Sequence, residues 1–141
     1  MKKIITKSSE ETQKVAREIA KKFTSGVIAL SGDLGAGKTT FTQGFAKALG
    51  IQDKIISPTF VLVRQHKIPD SPKILFHIDL YRLDEINFKE TGIQEIIDDP
   101  NNIVLIEWAE KAKTQLPKDT LWIYFKNLDE DKRELIIDLP I

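Results

Sequence analysis

The spacing of hydrophobic positions changes from segment to segment in the first part of the chain. After a short starting strand, apolar side chains in residues 15–23 recur at intervals of three and four, which predicts an amphipathic helix capped by Ser8 or Ser9. Residues 27–30 form an unbroken apolar run, as in a strand that is buried on both faces. Residues 41–49 return to helical spacing and are followed by a glycine, which favours a left-handed C-cap. The predicted order is therefore strand, loop and helix.

The second part of the chain is richer in runs that are typical of strands. Residues 60–63 and 74–78 are predicted strands, and the proline-containing polar stretch between them favours an antiparallel hairpin. Residues 84–92 are predicted to be helical. Further apolar runs predict a central strand and two late strands, at residues 103–106, 121–125 and 134–139. Early alternation of strands with helices, followed by strands alone, predicts an α/β fold with a mixed sheet.

Length and composition change this picture little. The 141 residues fit one domain, predicted to span residues 1–141. Lys plus Arg equal Asp plus Glu at 21 each, so charge does not favour a broad basic face for nucleic acid. The absence of cysteine excludes disulfides, thiolate metal sites and thiol nucleophiles. Because no apolar run approaches the ~20 residues of a membrane helix and the start lacks a signal-peptide core, we predict a cytoplasmic protein with no membrane partner.

Residues 32–39 read Gly-Asp-Leu-Gly-Ala-Gly-Lys-Thr and match the phosphate-binding pattern G-x-x-x-x-G-K-[ST] at every fixed position. In such a loop, backbone N–H groups and the positive end of the following helix bind phosphate oxygens. We expect Lys38 to contact the β- and γ-phosphates and the Thr39 hydroxyl to bind Mg²⁺. The predicted fold is that of a P-loop NTPase, with a mainly parallel central sheet flanked by helices, and the predicted reaction is hydrolysis of ATP with Mg²⁺.

Acidic residues at two strand ends are candidates to complete the site. Asp79 follows the predicted strand 74–78 and Glu107 follows 103–106, and either could be the Walker B acid or a solvated acid. Thr59 lies where many P-loop NTPases sense the γ-phosphate, although its segment also reads as an ordinary turn. The expectation for His77 is a packed or hydrogen-bonded strand residue rather than a catalytic base.

The base of the nucleotide is harder to predict. Residues 126–129 differ from the guanine-specific N-K-x-D pattern by reversal of its first two residues, which disfavours GTP. The start of the first helix, around Ser9 and Thr12, is a candidate for one wall of an adenine pocket. Trp108 could stack on a base or on a partner, or simply belong to the core.

Taken together, four segments resemble one family: residues 32–40, 57–60, 77–83 and 105–108. They are similar to the TsaE (YjeE) family of bacterial P-loop ATPases, which take part in making N6-threonylcarbamoyladenosine in tRNA. The likeness extends to about Pro117, and Phe60 departs from it because tyrosine is expected there in many members.

The resemblance implies weak ATP hydrolysis by the protein alone and action with the partners TsaD and TsaB, with tRNA contacted indirectly. It implies Mg²⁺ binding by Thr39 and Glu107, catalytic assistance by Asp79 and a switch role for Thr59. The predicted nucleotide-contacting residues are Ser9, Asp33, Gly35, Ala36, Gly37, Lys38, Thr39, Thr40 and Trp108.

Two other function classes remain open from the sequence. A stand-alone small-molecule kinase would need a lid carrying arginines, whereas the four arginines here are dispersed. A nucleotide-dependent interaction module would bind ATP but hydrolyse it negligibly. Stimulation of turnover by partners would discriminate between these classes and the tRNA-modification ATPase.

Overall fold

The computed structural model describes residues 1–33, 35–55 and 63–138. Its strands are β1 (Lys2–Thr6), β2 (Gly26–Gly32), β3 (Val63–Lys67), β4 (Ile74–Asp79), β5 (Asn102–Glu107), β6 (Leu121–Asn127) and β7 (Arg133–Asp138). Its α-helices are α1 (Ser9–Lys22), α2 (Lys38–Ala48), α3 (Phe88–Thr91) and α4 (Ile93–Asp98), and a 3₁₀ helix covers Ala109–Gln115. In the described ranges, no helix has both the length and the apolar character needed to cross a membrane.

The strands form one sheet in the order β1-β7-β6-β2-β5-β4-β3. The four central strands, β6, β2, β5 and β4, run parallel to one another, and the strands outside them pair antiparallel. The predicted α/β fold, with a mixed sheet that is parallel in its centre, is therefore confirmed. The predicted hairpin is confirmed as the antiparallel pair β3 and β4.

Each face of the sheet is covered by its own helices. Because side chains alternate along a strand, β2 places Ile28 and Leu30 in one hydrophobic core and Val27 and Ala29 in the other. Residues of α1 and α2 complete the first core, and residues of α3, α4 and the 3₁₀ helix complete the second. We call the first side the α1/α2 face. The unbroken apolar run of β2 reflects burial on both faces, as predicted.

The first helix begins with a side-chain cap. The Ser8 hydroxyl accepts a hydrogen bond from the backbone N–H of Glu11 at 3.1 Å, so Ser8 rather than Ser9 is the N-cap. Ser9 is thereby the first residue of the helix. The N-terminus of α1 lies beside the loop that joins β2 to α2, since Ser8, Ser9 and residues of that loop line one cleft.

The helix predicted over residues 84–92 was placed too early. Asn87 is the N-cap, accepting from the N–H groups of Lys89 at 2.9 Å and Glu90 at 3.3 Å, and α3 begins only at Phe88. The chain then turns at Gly92, whose φ of 83° is left-handed, and continues as α4. The asparagine that competes with the helix and caps it explains the late start.

The edge strand β3 also differs from the prediction. The sequence pattern ended this strand at residue 63, but β3 continues through four polar residues to Lys67. An edge strand pairs on one side only and needs no alternation of apolar residues. The first predicted part of the strand, residues 60–62, lies outside the described residues. The late strand β6 runs two residues beyond its predicted end, and β7 begins one residue before its predicted start.

Candidate functional site

A cleft of about 340 Å³ opens at the carboxyl ends of the parallel strands. Of the residues predicted to contact a nucleotide or to act in catalysis, those lining it are Ser9, Gly35, Gly37, Lys38, Thr39, Thr40, Asp79, Glu107 and Trp108. Ala36 is fully buried and Asp33 is exposed, and neither side chain lines the cleft. Thr59 lies outside the described residues, so its predicted role stays a prediction.

Two glycines allow the loop between β2 and α2 to take its path. Gly32 has a φ of 143°, and a Cβ atom there would lie 2.3 Å from the carbonyl oxygen of Phe125 on β6. Any side chain would therefore push the loop away from the neighbouring strand. Gly37 has a φ of 105° and stands at the N-cap of α2 without a side-chain cap. The first N–H groups of α2 are consequently not capped by a side chain, and the first three residues of α2, 38–40, line the cleft.

Lys38, the first residue of α2, turns its side chain back along the loop. It is 5% exposed, and its ammonium group donates to the carbonyl oxygen of Gly32 and, at 3.0 Å, to that of Asp33. The same group lies 4.0 Å from the centre of the Trp108 ring. Burial lowers the pKa of Lys38 from its ordinary 10.5, and four nearby carboxylates, Glu107 first, oppose the shift. The loop thus encloses a partly desolvated cation.

Asp79 and Glu107 stand side by side, because they are register partners at the ends of the parallel strands β4 and β5. Both are buried, with 7% and 3% exposure. Glu107 accepts hydrogen bonds from the Thr39 hydroxyl, 3.2 Å from Oε1 and 3.4 Å from Oε2, and also contacts Nε2 of His77. Asp79 instead accepts from the backbone N–H of Tyr81 at 2.8 Å. Glu107 thus contacts the loop helix through Thr39.

Trp108 closes one side of the cleft. Its backbone is left-handed, with a φ of 59°, and its ring lies 5.0 Å from that of Tyr81, measured between centroids. The Lys111 ammonium group donates to the carbonyl oxygens of Tyr81 at 2.5 Å and Leu83 at 3.0 Å. These contacts fasten the turn after β4 to the 3₁₀ helix after β5, so the two aromatic rings are held together at the cleft.

Some cleft residues were given no site role by the sequence. Asp131 lies in the connection between β6 and β7. Arg133 is the first residue of β7 and donates to the carbonyl oxygen of Gly35 at 3.3 Å. Ser8 and Tyr81 also line the cleft. Arg133 and Gly35 are 98 positions apart, and only the pairing of β6 with β2 and β7 brings them together. No motif in the sequence could have indicated this contact.

The oxygen atoms near Thr39 suit Mg²⁺. The described part of the chain contains no group of three or more His, Cys, Asp or Glu side chains arranged to hold a metal ion. Mg²⁺ in nucleotide sites is instead bound by one or two protein oxygens together with phosphates and water. The Thr39 hydroxyl and the Glu107 carboxylate, 3.2 Å apart, are two oxygen donors of the required kind. The donor set therefore fits Mg²⁺ bound with a nucleotide.

Comparison with protein families gives one match over most of the chain. The profile of the family described as "Threonylcarbamoyl adenosine biosynthesis protein TsaE" matches residues 6–135. This range contains the loop, both strand-end acids and Arg133. The family resemblance seen in the sequence is confirmed by this match.

Individual relatives agree with the family match. The tRNA threonylcarbamoyladenosine biosynthesis protein TsaE of Aquifex aeolicus is 41% identical over 140 residues, covering 97% of this chain and 96% of the relative. The protein of the same description from Bacillus subtilis is 39% identical over 131 residues, covering 92% of this chain and 80% of the relative. The crystal structure of Bacillus subtilis YdiB superposes with a TM-score of 0.80 at 33% identity, covering 99% of this chain and 86% of that one.

Proposed function

The chain belongs to the TsaE family of threonylcarbamoyl adenosine biosynthesis proteins, and we propose that it serves there as a Mg²⁺-dependent ATPase acting with TsaD and TsaB. The family places it in the biosynthesis of threonylcarbamoyladenosine in tRNA. To this the proposal adds hydrolysis of ATP as the reaction, Mg²⁺ as the cofactor, TsaD and TsaB as the partners, and a cytoplasmic location.

One observation carries the proposal: the loop residues and the strand-end acids meet in a single cleft. Lys38 and Thr39 begin the helix that follows the glycine-rich loop, and Glu107 and Asp79 end the strands beside it. This is the set of groups that binding and hydrolysis of a nucleoside triphosphate require. A glycine loop that served only as a turn would not need buried carboxylates opposite its lysine.

The loop geometry supports the proposal that the chain binds ATP. The first residues of α2 line the cleft, and its uncapped N–H groups and the positive end of its dipole would bind phosphate oxygens there. The Lys38 ammonium group, now hydrogen-bonded to two carbonyl oxygens of the loop, would exchange them for β- and γ-phosphate oxygens. The phosphate charge would also compensate the desolvation of this cation.

Hydrolysis would use the strand-end side of the cleft. Mg²⁺, when bound, would neutralise charge that develops on the phosphates. Thr39 and Glu107 would hold it through their oxygen atoms, and Asp79 would orient the attacking water. Thr59, from the part of the chain that is not described, is proposed to sense the γ-phosphate. In this proposal TsaD and TsaB complete the site, and the chain meets tRNA indirectly through the complex with them.

The test is ATP hydrolysis by the purified protein with Mg²⁺, alone and then with TsaD, TsaB and tRNA, and with Lys38→Ala as the control. Turnover that rises in the presence of the partners, and is absent in the control, supports the proposal. Transfer of phosphate to a small molecule without stimulation by the partners would indicate a kinase instead. Binding of ATP with no turnover under any condition would indicate an interaction module.

A further inference from the structure

His77 is a completely buried polar residue directly behind the strand-end acids. It lies on β4, and its side chain is 0% exposed. By strand alternation it shares the α1/α2 face with Leu75, two positions before it, and with Asp79, two positions after it. Its register partner on β5 is Leu105, so Glu107 is its diagonal neighbour. Nε2 of His77 is hydrogen-bonded to Oε2 of Glu107.

We propose that His77 is a positioning residue, which fixes the Glu107 carboxylate in the orientation that faces Thr39. Glu107 is held at two points, by His77 from the core side and by the Thr39 hydroxyl from the loop side. A buried carboxylate with one support could rotate about its last torsion, which has a broad energy profile. With two supports its oxygens are held toward the place where Mg²⁺ is proposed to bind. That the ion is Mg²⁺ rests on the proposed function, whereas the orientation of Glu107 rests only on its contacts with His77 and Thr39.

The contact also assigns the tautomer of His77. A carboxylate only accepts hydrogen bonds, so Nε2 must carry the proton that is shared with Glu107. Nδ1 is buried and has no hydrogen-bond partner within the described ranges, which favours leaving it without a proton. The Nε2–H tautomer satisfies both conditions. Outer partners that orient a metal-binding side chain in this way typically contribute 10- to 100-fold to metal affinity, as an order of magnitude.

The chain contains an internal control for this proposal. Its other histidine, His66, also meets a carboxylate, with Nδ1 2.9 Å from Oδ2 of Asp53. That pair lies on edge strand β3, and the Asp53 side chain is 64% exposed. Neither His66 nor Asp53 lines the cleft. If a buried histidine on a strand matters only for packing, variants at His66 and His77 should have the same kinds of effect.

Two substitutions at His77 separate orientation from packing. The amide nitrogen of Gln can take the place of Nε2, whereas that of Asn corresponds to Nδ1. The measurement is the ratio of ATP dissociation constants without and with Mg²⁺, obtained by calorimetry, beside the melting temperature of each variant. We expect His77→Asn to reduce this ratio about tenfold or more and His77→Gln to keep it within about threefold. The same substitutions at His66 should leave the ratio unchanged. A wild-type ratio in His77→Asn, or equal losses in Asn and Gln, would overturn the proposal.

A second measurement uses the wild-type protein alone, so it needs neither a variant that folds nor ATP. With only two histidines in the chain, ¹⁵N spectra of the imidazole rings at about pH 8 report each tautomer directly. We expect the Nε2–H form for His77, and finding the Nδ1–H form would overturn the proposal. If the wild-type protein bound no ATP at all, the proposed function would fail. The spectra would still decide whether His77 supports Glu107.

Discussion

The two sides of the cleft are built in different ways. The loop side is contiguous in sequence, and in the proposed function its backbone, shaped by Gly32 and Gly37, binds phosphate together with the side chains of Lys38 and Thr39. The strand-end side is assembled from two strands and depends on buried side chains. A backbone surface tolerates many side-chain changes, whereas a side-chain surface depends on the register of the sheet.

The parallel register of β4 and β5 shows how strict this dependence is. Asp79 lies opposite Glu107, and His77 lies opposite Leu105. A slip of one residue in either strand would turn its acid to the other face of the sheet, away from Thr39. Substitutions on the two sides should therefore have different effects. Those on the loop side should lower nucleotide affinity, and those on the strand-end side should lower Mg²⁺-dependent turnover.

Removing the loop cation should have the largest effect. Lys38→Ala deletes more than one charge-assisted contact to phosphate, at about 3 kcal/mol or more in total, so ATP affinity should fall about 100-fold or more. Isothermal titration calorimetry measures the loss. Lys47→Ala, at the exposed last turn of the same helix, is the matched control and should bind ATP normally. Unchanged affinity in Lys38→Ala would refute the phosphate-binding interpretation of the loop.

Neutralising Glu107, the acid that contacts Thr39, should have the second-largest effect. Glu107→Gln keeps the size of the side chain but weakens a metal-binding oxygen, at a cost of about 1.5–3 kcal/mol, so Mg²⁺-dependent turnover should fall roughly 10- to 100-fold. ATP affinity measured without Mg²⁺ should change little. Asp138→Asn, at the end of β7 and outside the cleft, serves as the control. Equal losses in turnover and in Mg²⁺-free binding would mean that Glu107 is structural.

Neutralising Asp79, the neighbouring acid, should have a smaller effect that is confined to turnover. Asp79→Asn retains the oxygen that accepts from the N–H of Tyr81 and removes only the charge. Losing one charge-assisted contact to the attacking water, about 1.5 kcal/mol, should lower turnover about tenfold while ATP affinity stays within about threefold. A phosphate-release assay beside calorimetry tests both parts. Wild-type turnover in Asp79→Asn would exclude this residue from catalysis.

The smallest expected effect is a change of stability and of ATP affinity with pH. Burial lowers the pKa of Lys38, so the folded protein loses this proton at a lower pH than the unfolded chain does. Between the folded pKa and 10.5 the unfolded chain binds more protons, and the free energy of unfolding without ligand should rise with pH. ATP affinity should fall as the pH rises over the same interval, because the neutral amine binds phosphate poorly.

Lys38→Arg provides the control for this pH dependence. Arginine stays protonated over the whole interval, so the decline in affinity should disappear even if the absolute affinity is lower. A decline that persists in Lys38→Arg would have to come from another group. Calorimetry at several pH values, with chemical denaturation of the ligand-free protein, measures both trends.

The contrast between the two sides also explains what the sequence could predict. The loop was predictable because a short contiguous pattern encodes it, and the strand-end acids were predictable because apolar runs precede Asp79 and Glu107. The sequence left open which of the two is the Walker B acid, and the structure shows that Glu107 accepts a hydrogen bond from Thr39. The sequence alone could not answer this question, because relative strand order and register are set by tertiary packing.

Other features of the structure were also missed. Arg133 reaches Gly35 only through the pairing of β7 with β6, and no local pattern marks it. The late start of α3 depends on the Asn87 cap, which overrides a helical spacing of apolar residues. His77 was correctly predicted to be a hydrogen-bonded strand residue, but its partner depends on the strand that lies next to β4.

The distance along the chain between Thr39 and Glu107, 68 positions, has a consequence for folding. Parallel pairing of β2 with β5 closes a long loop, and non-local contacts of this kind form slowly. The loop and helix of the cleft are local and can form early, but the complete cleft exists only after β5 has docked. A ligand that touches both sides therefore binds the native state alone, and at 100 times its dissociation constant it would stabilise that state by about 2.7 kcal/mol. Occupancy of the cleft should accordingly protect the whole chain against proteolysis and thermal unfolding.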